Sequence, residues 1–546
     1  MLLIIKESKT GILLPWKKIS VISKMYLIKY AVVISLSFFN IKNHREYTSG
    51  FFYKLNSGFV ILLVFICQSF LSFSQSIARV QILSTDSMIF DKRIDEDLRK
   101  LIGHVVFKHN NDLMYCDSAY FYKARNSLEA FGKVHLIHND SVNLFGDYLK
   151  YNGDIRFGEV RRNVKLVDKY ITLTTQNLDF DLENNLSYYF SGGKIVDTTN
   201  NLTSRNGYYF FDTKEFFFKD NVVLINPQYS MYSDTLKYNT GTEIAFFVGP
   251  TKIISDSNLI YCENGWYNTR SNISQFNRNA YMQNKNQFIK GDSLYYDRNQ
   301  GLGKAFRNVE VRDTTENIIL KGELAFYLEK PEYSYITGEA VFISYSETDT
   351  LFLHADTLRS KLDTSGKYKR IFAYKKVKFY REDMQGKCDS LSYSFRDSLI
   401  RLYGQPVIWT DENQLTAEYI QIHTFNNRAD KIELKNSAFI VAQEDTLKFN
   451  QISGKNMTGI IKENKLCRIN VDGNGQTIYY AKDNDQLVGI NKAESSNLII
   501  YLKEGKVDRI NFINQPGAVL NPPHQLKFEE TRLKGFQWLE IGRAHV

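Results

Sequence analysis

The sequence predicts an all-β protein that is built from tandem repeats of strands. Three observations support this: a recurring five-residue unit, a period-two alternation of apolar and polar residues within it, and a composition of 8 Pro against 35 Tyr and 38 Phe in 546 residues. Proline removes a donor from a strand ladder, whereas aromatic residues are enriched in strands. The same composition excludes a disordered chain, a collagen-like chain and a disulfide-dense mini-protein.

The first recognisable element is an export signal at residues 58–75. An uncharged apolar run, Gly58–Phe73, follows Lys54 and ends in the small and polar residues Ser74 and Gln75. A basic flank, an apolar stretch and a small-residue exit are the layout of a secretory signal peptide, and about 16 apolar residues are few for a spanning helix. We therefore expect cleaved export rather than a retained anchor, and interpret residues 1–57 as a doubtful extension from a mis-called start codon.

The charge distribution argues against nucleic acid as a partner. Residues 1–75 hold nine Lys or Arg and two acidic residues, so they supply most of the formal +9. The remainder carries 60 basic and 58 acidic residues, a net charge of +2. A nucleic-acid-binding protein would present a basic face. The charges of this body are expected on a solvated outer surface.

A repeat of about thirty residues organises residues 76–539. Its first element reads acidic-x-aliphatic-x-aromatic, with successive starts mostly 29 to 33 residues apart, as in Asp117–Phe121, Asp147–Tyr151, Asp234–Tyr238, Asp292–Tyr296, Glu323–Tyr327 and Asp389–Tyr393. Its second element is a Gly or Asn followed by a short β-branched strand, as in Gly103–Phe107, Gly132–Leu136, Asn163–Leu166 and Asn308–Val311. Serial copies of one strand pair are typical of a stacked repeat protein, because one pair cannot bury its own apolar face.

Period-two alternation predicts which side chains face the interior. Within each element, apolar residues two apart share one face and polar residues occupy the other. The acidic residue that opens each copy is expected to be a turn or strand-entry residue that bonds local amides. Turns between strands are expected at Asn152-Gly153, Gly192-Gly193, Asn206-Gly207 and Asp472–Gly475.

Neither the C-terminal tail nor the cysteines indicate a functional site. Residues 540–546 read as a translated sequencing adapter, so we treat them as an artefact and expect the natural chain to continue past Leu539. Four cysteines remain after Cys67 of the signal region, with no CxxC and no paired spacing. They are expected to be free thiols in the core.

Taken together, the export signal, the Asp-Ser-Leu-x-Tyr units and the intervening Gly-x-Val strands resemble the OstA-like family, which is related to LptA and to the amino-terminal domain of LptD. The chain is similar to the long Bacteroidetes form, and the resemblance covers residues 76–539. It implies a β-jellyroll, or β-taco: an elongated stack of consecutive antiparallel V-shaped strands that forms a semi-closed groove. The family implies no catalytic residues, no metal and no cofactor.

The resemblance also implies a function and partners. It implies a periplasmic protein that is associated with the outer membrane by bridging towards it. Such a protein shields the acyl chains of lipopolysaccharide in its groove during transport. The open ends would pair with LptD- or LptC-like jellyrolls or with another copy. Period-two alternation then gives the expected lining of the groove: Val105, Phe107, Val134, Leu136, Leu149, Tyr151, Val164, Leu166, Leu236, Tyr238, Leu294, Tyr296, Val309 and Val311.

Two other classes stay open at this point. A structural or adhesive surface solenoid would have the same inward face, packed into a filled core. A β-helix enzyme acting on polysaccharide would need a carboxylate cluster across several rungs, and no such cluster is evident. Neither HExxH, G-x-S-x-G nor a Walker loop occurs. His104, His109 and His135 are expected on wet strand edges, and Trp266 and Trp409 are expected in the interior or at its rim.

Overall fold

The computed structural model describes residues 78–539, except 140, 170, 347–348, 411–412, 426–427, 464, 485 and 504–505. The expectations for residues 1–57, the signal at 58–75 and the tail at 540–546 therefore lie outside the described residues. The described residues from Ala78 onward form one structural unit. Its described residues form a single antiparallel sheet of 34 strands, and the predicted all-β fold is confirmed.

The sheet has an N-terminal, a central and a C-terminal section. The N-terminal section consists of β1 (Gln81–Ser84), β2 (Ser87–Phe90), β3 (Leu98–His109), β4 (Asp112–Tyr122), β5 (Ser127–His138), β6 (Val142–Asn152), β7 (Phe157–Val167), β8 (Thr172–Asp181) and β9 (Leu186–Tyr189). The central section consists of β10 (Gly193–Val196), β11 (Asn201–Ser204), β12 (Asn206–Phe210), β13 (Glu215–Asn226), β14 (Tyr229–Asn239), β15 (Ile244–Ile254), β16 (Asn258–Asn268), β17 (Ile273–Asn284), β18 (Gln287–Asp297), β19 (Leu302–Asp313), β20 (Ile318–Leu328), β21 (Tyr333–Tyr345), β22 (Thr350–Leu362), β23 (Lys369–Arg381) and β24 (Met384–Ser394).

The C-terminal section consists of β25 (Leu399–Tyr403), β26 (Val407–Thr410), β27 (Asn413–Thr416), β28 (Tyr419–Phe425), β29 (Arg428–Gln443), β30 (Phe449–Lys462), β31 (Lys465–Asp483), β32 (Gln486–Lys503), β33 (Lys506–Ile513) and β34 (Gly517–Asn521). A short 3-10 helix, Phe528–Thr531, follows. No helix in the described part of the chain is long and apolar enough to cross a membrane.

Most alternate long strands carry a bulge at their centre, where two residues adopt the left-handed conformation. In β3 these are Gly103 and His104, with φ of 79° and 43°, and in β5 they are Gly132 and Lys133, with φ of 74° and 43°. The register shifts at the same places, since two residues of β3 lie opposite a single residue of β4, Asp117. A bulge of this kind bends a strand. Similar left-handed pairs recur at 162–163, 220–221, 278–279, 307–308, 338–339, 375–376, 404–405, 436–437, 473–474 and 514–515.

The bend divides the sheet into two halves that face one another. Wing A contains the half of β3 that precedes Gly103, and wing B contains the half that follows His104. Where the two halves are assigned as separate strands, β2, β9, β12, β25, β28 and β33 lie in wing A and β1, β10, β11, β26, β27 and β34 lie in wing B. The predicted V-shaped strands of a jellyroll are thus present.

The acidic residue of the repeat lies at this corner, which corrects its expected place at a turn or strand entry. Asp117 and Asp147 are in the middle of β4 and β6, because each predicted five-residue element is only half of a strand. Asp147 accepts a hydrogen bond from Asn163 Nδ2 on the next strand, at 2.8 Å. Glu263 accepts one from Asn279 in the same way, at 2.9 Å. The carboxylate therefore fixes the corner of the neighbouring strand.

Two of the four predicted turns are corners of the same kind. Gly192 separates β9 from β10 with φ of 87°, and Gly473 and Asn474 form the corner inside β31. Asn206-Gly207 opens β12, whereas Gly153 does lie in the turn after β6. Glycine and asparagine mark left-handed backbone equally in turns and in bulges, so sequence alone does not separate the two.

The cysteines behave as expected from their spacing. Cys116, Cys262 and Cys388 are free and buried, and Cys467 is free and half-buried. Cys116 and Cys388 each precede a corner carboxylate, Asp117 or Asp389. Burial raises the pKa of the three buried thiols to about 12, so they remain protonated.

Candidate functional site

All fourteen residues that were predicted to line a groove are on the inner face of the sheet. In the N-terminal section they are packed tightly: Val105, Phe107 and Leu149 are 0% exposed and Tyr151 is 1% exposed. Val134, Leu136 and Val164 are also buried, and Leu166 is half-buried. In the central section, Leu236, Leu294 and Val309 are buried, and Tyr238, Tyr296 and Val311 are half-buried.

In β13 and β19 of the central section, burial of the inner residues decreases from the corner outward along both wings. In β13 the two inner residues that flank the corner, Phe218 and Val222, are 4% and 1% exposed. The next inner residues outward, Phe216 in wing A and Leu224 in wing B, are half-buried. The same change occurs in β19 between Val309 and Val311. Two wings that meet at a packed corner and separate beyond it leave an open groove between them.

Tyrosines and small residues alternate along the inner face of wing A. Cross-strand pairing places them in one row, which runs Tyr238, Ala245, Tyr267, Ser274, Tyr296, Gly303, Tyr327 and Ser334 from β14 to β21. We call this the tyrosine row. Since adjacent strands lie about 4.8 Å apart, successive tyrosines are about 10 Å apart with a small residue between them. The tyrosines are the aromatic residues that close the repeated five-residue unit.

The inner face of wing B carries an aliphatic row opposite the tyrosine row. It includes Leu224, Met231, Ile253, Ile260, Met282, Ile289, Val311, Leu320, Phe342 and Leu353. Most of these side chains are half-buried and pack against the core at the corner. The central groove therefore has one aliphatic wall and one wall of aromatic rings.

Gly158 and Gly303 occupy equivalent places on the inner face of wing A, and the space around them differs. Gly158, in the N-terminal section, pairs with Phe180, and a Cβ added to Gly158 would meet the Phe180 ring at 2.2 Å. Gly303, in the tyrosine row, has no atom within 4 Å of the place a Cβ would occupy. The backbone of Gly303 is not in the left-handed region. A side chain of the protein fills the first position, whereas the second is open.

The N-terminal section is closed across its mouth. Residues 78–80 run from wing B, where β1 begins, to the rim of wing A, and Val80 is 5% exposed there. The Val80 amide donates to Asn126 Oδ1 at 2.9 Å. Across the same opening, His109 Nδ1 of wing B lies 2.7 Å from the Tyr151 hydroxyl of wing A. His109 is 1% exposed, so its expected position on a wet edge is wrong.

The C-terminal section has a filled interior, and one of its outer faces is partly covered. Its inner residues Leu415, Ile420 and Ile432 are 0% exposed. Residues 522–539 run across the outer face of wing B and cover part of it. This C-terminal segment places Leu533, Phe536 and Trp538 against a cluster of outer residues, Phe439, Val441 and Phe449.

Trp266 and Trp409 lie on the outer face of the sheet, so their expected position in the interior or at its rim is wrong. Trp266 pairs with Phe246 on the outside of wing A. Trp409 is on the outside of wing B but is 7% exposed. The other two histidines fit their expected setting better: His104 is exposed at a corner, and His135 stacks on Phe145 at 4.3 Å on the outer face.

The chemistry of the groove is that of a binding surface. Burial raises the pKa of Tyr267, Tyr296 and Tyr327, so their hydroxyls are neutral at physiological pH. Within the described ranges, no cluster of three or more His, Cys, Asp or Glu side chains could hold a metal ion.

The open position at Gly303 was not predicted from the sequence. The signal for it was the 29-residue spacing of Ala245, Ser274 and Gly303 between the motif tyrosines.

The family described as OstA-like protein matches residues 78–234 and 230–292. The family described as LptA/(LptD N-terminal domain) LPS transport protein matches residues 334–428. A search of curated proteins found no match. One similar solved structure is LptH of Pseudomonas aeruginosa, described as the LptA homologous periplasmic component of the lipopolysaccharide transport device; it is 10% identical, covers 26% of this chain and 95% of its own, and has a TM-score of 0.21.

The two family matches lie on either side of the open position at Gly303 and together span most of the bent strands. They agree with the resemblance that the repeated units carry. These matches support an OstA-like protein of the type formed by LptA and the amino-terminal domain of LptD.

Proposed function

We propose that this protein binds lipopolysaccharide in the periplasm and carries it towards the outer membrane, with the acyl chains held in the central groove. The observation that supports the proposal most is the open, apolar inner face between the tyrosine row and the aliphatic row. Exposing a hydrocarbon chain to water costs about 0.8 kcal/mol per methylene, so a lipid in transit needs a continuous apolar lining. The family, described as LPS transport proteins, supports the same role and a non-enzymatic one.

Edge pairing with LptD- or LptC-like jellyrolls, or with a second copy, is the second part of the proposal. Among the described strands, β1 and β2 pair only with β3, and β33 and β34 pair only with β32. Each edge carries exposed apolar side chains, such as Ile89 at 49% and Val519 at 59%. Exposed strand edges of this kind are templates for pairing with another sheet.

A structural solenoid is the competing function, and the closed sections at both ends favour it. A filled interior such as that around Leu128, which is 0% exposed, needs no ligand for stability. The two functions differ in the central section, where only a carrier would expose its inner face to lipid.

The test is site-specific photocrosslinking in the cell envelope from two adjacent residues of β15. Ile253 is on the inner face and half-buried, whereas Lys252 is on the outer face and exposed. Lipopolysaccharide adducts from position 253 but not from position 252 are expected. Equal labelling from both positions, or none from either, would favour the structural solenoid.

A further inference from the structure

We propose that acyl chains bind only in the central section, and that the position over Gly303, between Tyr296 and Tyr327, is the seat of one hydrocarbon chain. The inference rests on the proposed function and locates its site within the chain. It concerns a lipid whose hydrocarbon chain lies between the two rings and whose polar end stays at the mouth of the groove.

The dimensions fit one chain. Tyr296 pairs with Gly303, and Gly303 pairs with Tyr327, so the two rings lie on strands that are about 10 Å apart. A hydrocarbon chain between them would make a contact of about 4 Å with each ring, the optimal separation of carbon atoms. The two contacts together take up about 8 Å, so one chain fills the space and a second is excluded.

The floor and the opposite wall are apolar. The inner residues between the tyrosine row and the corner form the floor of the groove. There Ala305 of β19 pairs with Ala325 of β20, and the neighbouring strand β18 contributes Leu294. Because alanine is smaller than leucine, the floor is lower at β19 and β20 than at β18. Across the groove stand Val311 and Leu320 of the aliphatic row, both half-buried. A chain seated over Gly303 would therefore cover apolar surface on all sides except at the mouth.

Tyrosine suits the boundary between chain and head group. Its ring offers an apolar face while its hydroxyl can bond polar groups, which is why tyrosine is enriched where one end of a site is wet. The Tyr267 hydroxyl extends as far as the turn at the outer end of wing A, where it donates a hydrogen bond to Asn272 Oδ1 at 3.0 Å. The hydroxyls of the tyrosine row would thus meet the polar end of a lipid whose chain lies between the rings.

Equivalent positions elsewhere are occupied by the protein itself. In the N-terminal section the Phe180 ring fills the place over Gly158, and Leu128 in the same row is 0% exposed. In the C-terminal section Ile422 and Ile432 continue the row at 3% and 0% exposure. Within the tyrosine row, Ser274 is already covered at 6% exposure. These contacts exclude a chain from both closed sections and favour Gly303 within the central one.

The first arm of the test maps where lipid binds. A photoreactive residue is placed at Leu320 of the central inner face, at Leu128 of the N-terminal inner face, or at the exposed outer residue Lys321, and the purified full chain is exposed to purified lipopolysaccharide. We expect adducts from position 320 alone. Equal adducts from 320 and 128 would overturn the inference while leaving the proposed function intact, whereas no adduct from either inner position would contradict the proposed function itself.

The second arm fills the seat. Gly303→Trp places a ring in the open position, and Lys304→Trp adds the same ring to the outer face of the same strand as a control for folding. We expect lipopolysaccharide affinity to fall at least about tenfold in Gly303→Trp relative to Lys304→Trp, since losing the burial of two methylenes already suffices. Equal affinity of the two folded variants would show that no chain occupies this position.

Discussion

His109 Nδ1 and the hydroxyl of Tyr151 lie 2.7 Å apart, and they join the two wings across the mouth of the N-terminal section. Both residues are 1% exposed, although they come from opposite rims of the groove and are 42 positions apart in the chain. His109 Nε2 also lies 3.1 Å from the carbonyl of Ala78, in the segment that crosses the same opening. A groove whose wings are bonded together here is closed at one end.

Removing the Tyr151 hydroxyl should weaken this closure. Tyr151→Phe leaves a buried His109 nitrogen without its partner, which costs about 1–3 kcal/mol of unfolding free energy. Hydrogen exchange of β3 to β6 should therefore accelerate, while exchange of the central strands should be unchanged. Tyr296→Phe is the matched control, because Tyr296 is half-buried in the open section. Equal acceleration in both variants would contradict a specific closure at the N-terminal end.

The same closure should depend on pH. Burial lowers the pKa of His109, so the folded section holds it neutral while the unfolded chain binds a proton below its ordinary value near 6.5. The unfolded state then binds more protons, and stability is lost as the pH falls from about 6.5 towards the folded pKa, by at most about 1.4 kcal/mol per pH unit. Denaturant unfolding of the N-terminal section at pH 7.5 and 5.5 should show this loss, and His109→Gln should reduce it.

Corner glycines should be far less replaceable than the glycine of the open groove. Gly132 has φ of 74°, and a Cβ there would lie 2.6 Å from Asp117 Oδ2. Gly132→Ala should therefore cost about 1–2 kcal/mol for the left-handed backbone alone. Gly303→Ala, at a place with free space and ordinary backbone, should be neutral or slightly stabilising. Thermal unfolding of the two variants compares them directly, and equal destabilisation would contradict the assigned corner.

The C-terminal segment should detach when its buried anchor is removed. Gln451 is 1% exposed, donates from Nε2 to the carbonyl of Thr531 at 2.9 Å, and accepts from the amide of Leu533 at 2.8 Å. Gln451→Leu leaves both backbone groups unpaired at about 1–3 kcal/mol each. Tryptic cleavage after Arg532 should accelerate relative to wild type and to Gln443→Leu, an exposed control. Unchanged cleavage would show that the segment is held elsewhere.

Charge on the last strand should weaken association through that edge. Val519 and Leu520 are 59% and 54% exposed on β34. Replacing Val519 with Arg puts a charge on the exposed edge, a device that opposes edge-to-edge pairing. Sedimentation velocity should show less self-association of this variant than of Val248→Arg, the same change at a 47% exposed position on the central strand β15. Identical behaviour of the two variants would argue against pairing through β34.

Much of this architecture follows from local sequence patterns. Period-two alternation placed Leu149, Tyr238 and Val309 correctly on the inner face, because a side chain in a strand must point to one side or the other. The corners were harder to recognise. Glycine and asparagine mark left-handed backbone wherever it occurs, so Gly473 was expected in a turn although it lies in the middle of β31.

Closure of the groove could not be read from the repeats at all. Tyr151 and Tyr296 occupy equivalent places in the same repeated unit, yet one is 1% exposed and the other is half-buried. The difference arises from long-range contacts, above all His109 with Tyr151 and the segment at Ala78. An alternating pattern reports the face of a strand, whereas filling depends on what reaches that face from another part of the chain.

An experimental structure of the protein loaded with lipopolysaccharide is the most direct test of the central claim. We expect acyl-chain density between the wings of the central section, with one chain over Gly303 and between the rings of Tyr296 and Tyr327. The N-terminal section should remain filled by its own side chains. Tyr296 and Tyr327 rings closed over Gly303, with lipid density elsewhere or absent, would contradict the account.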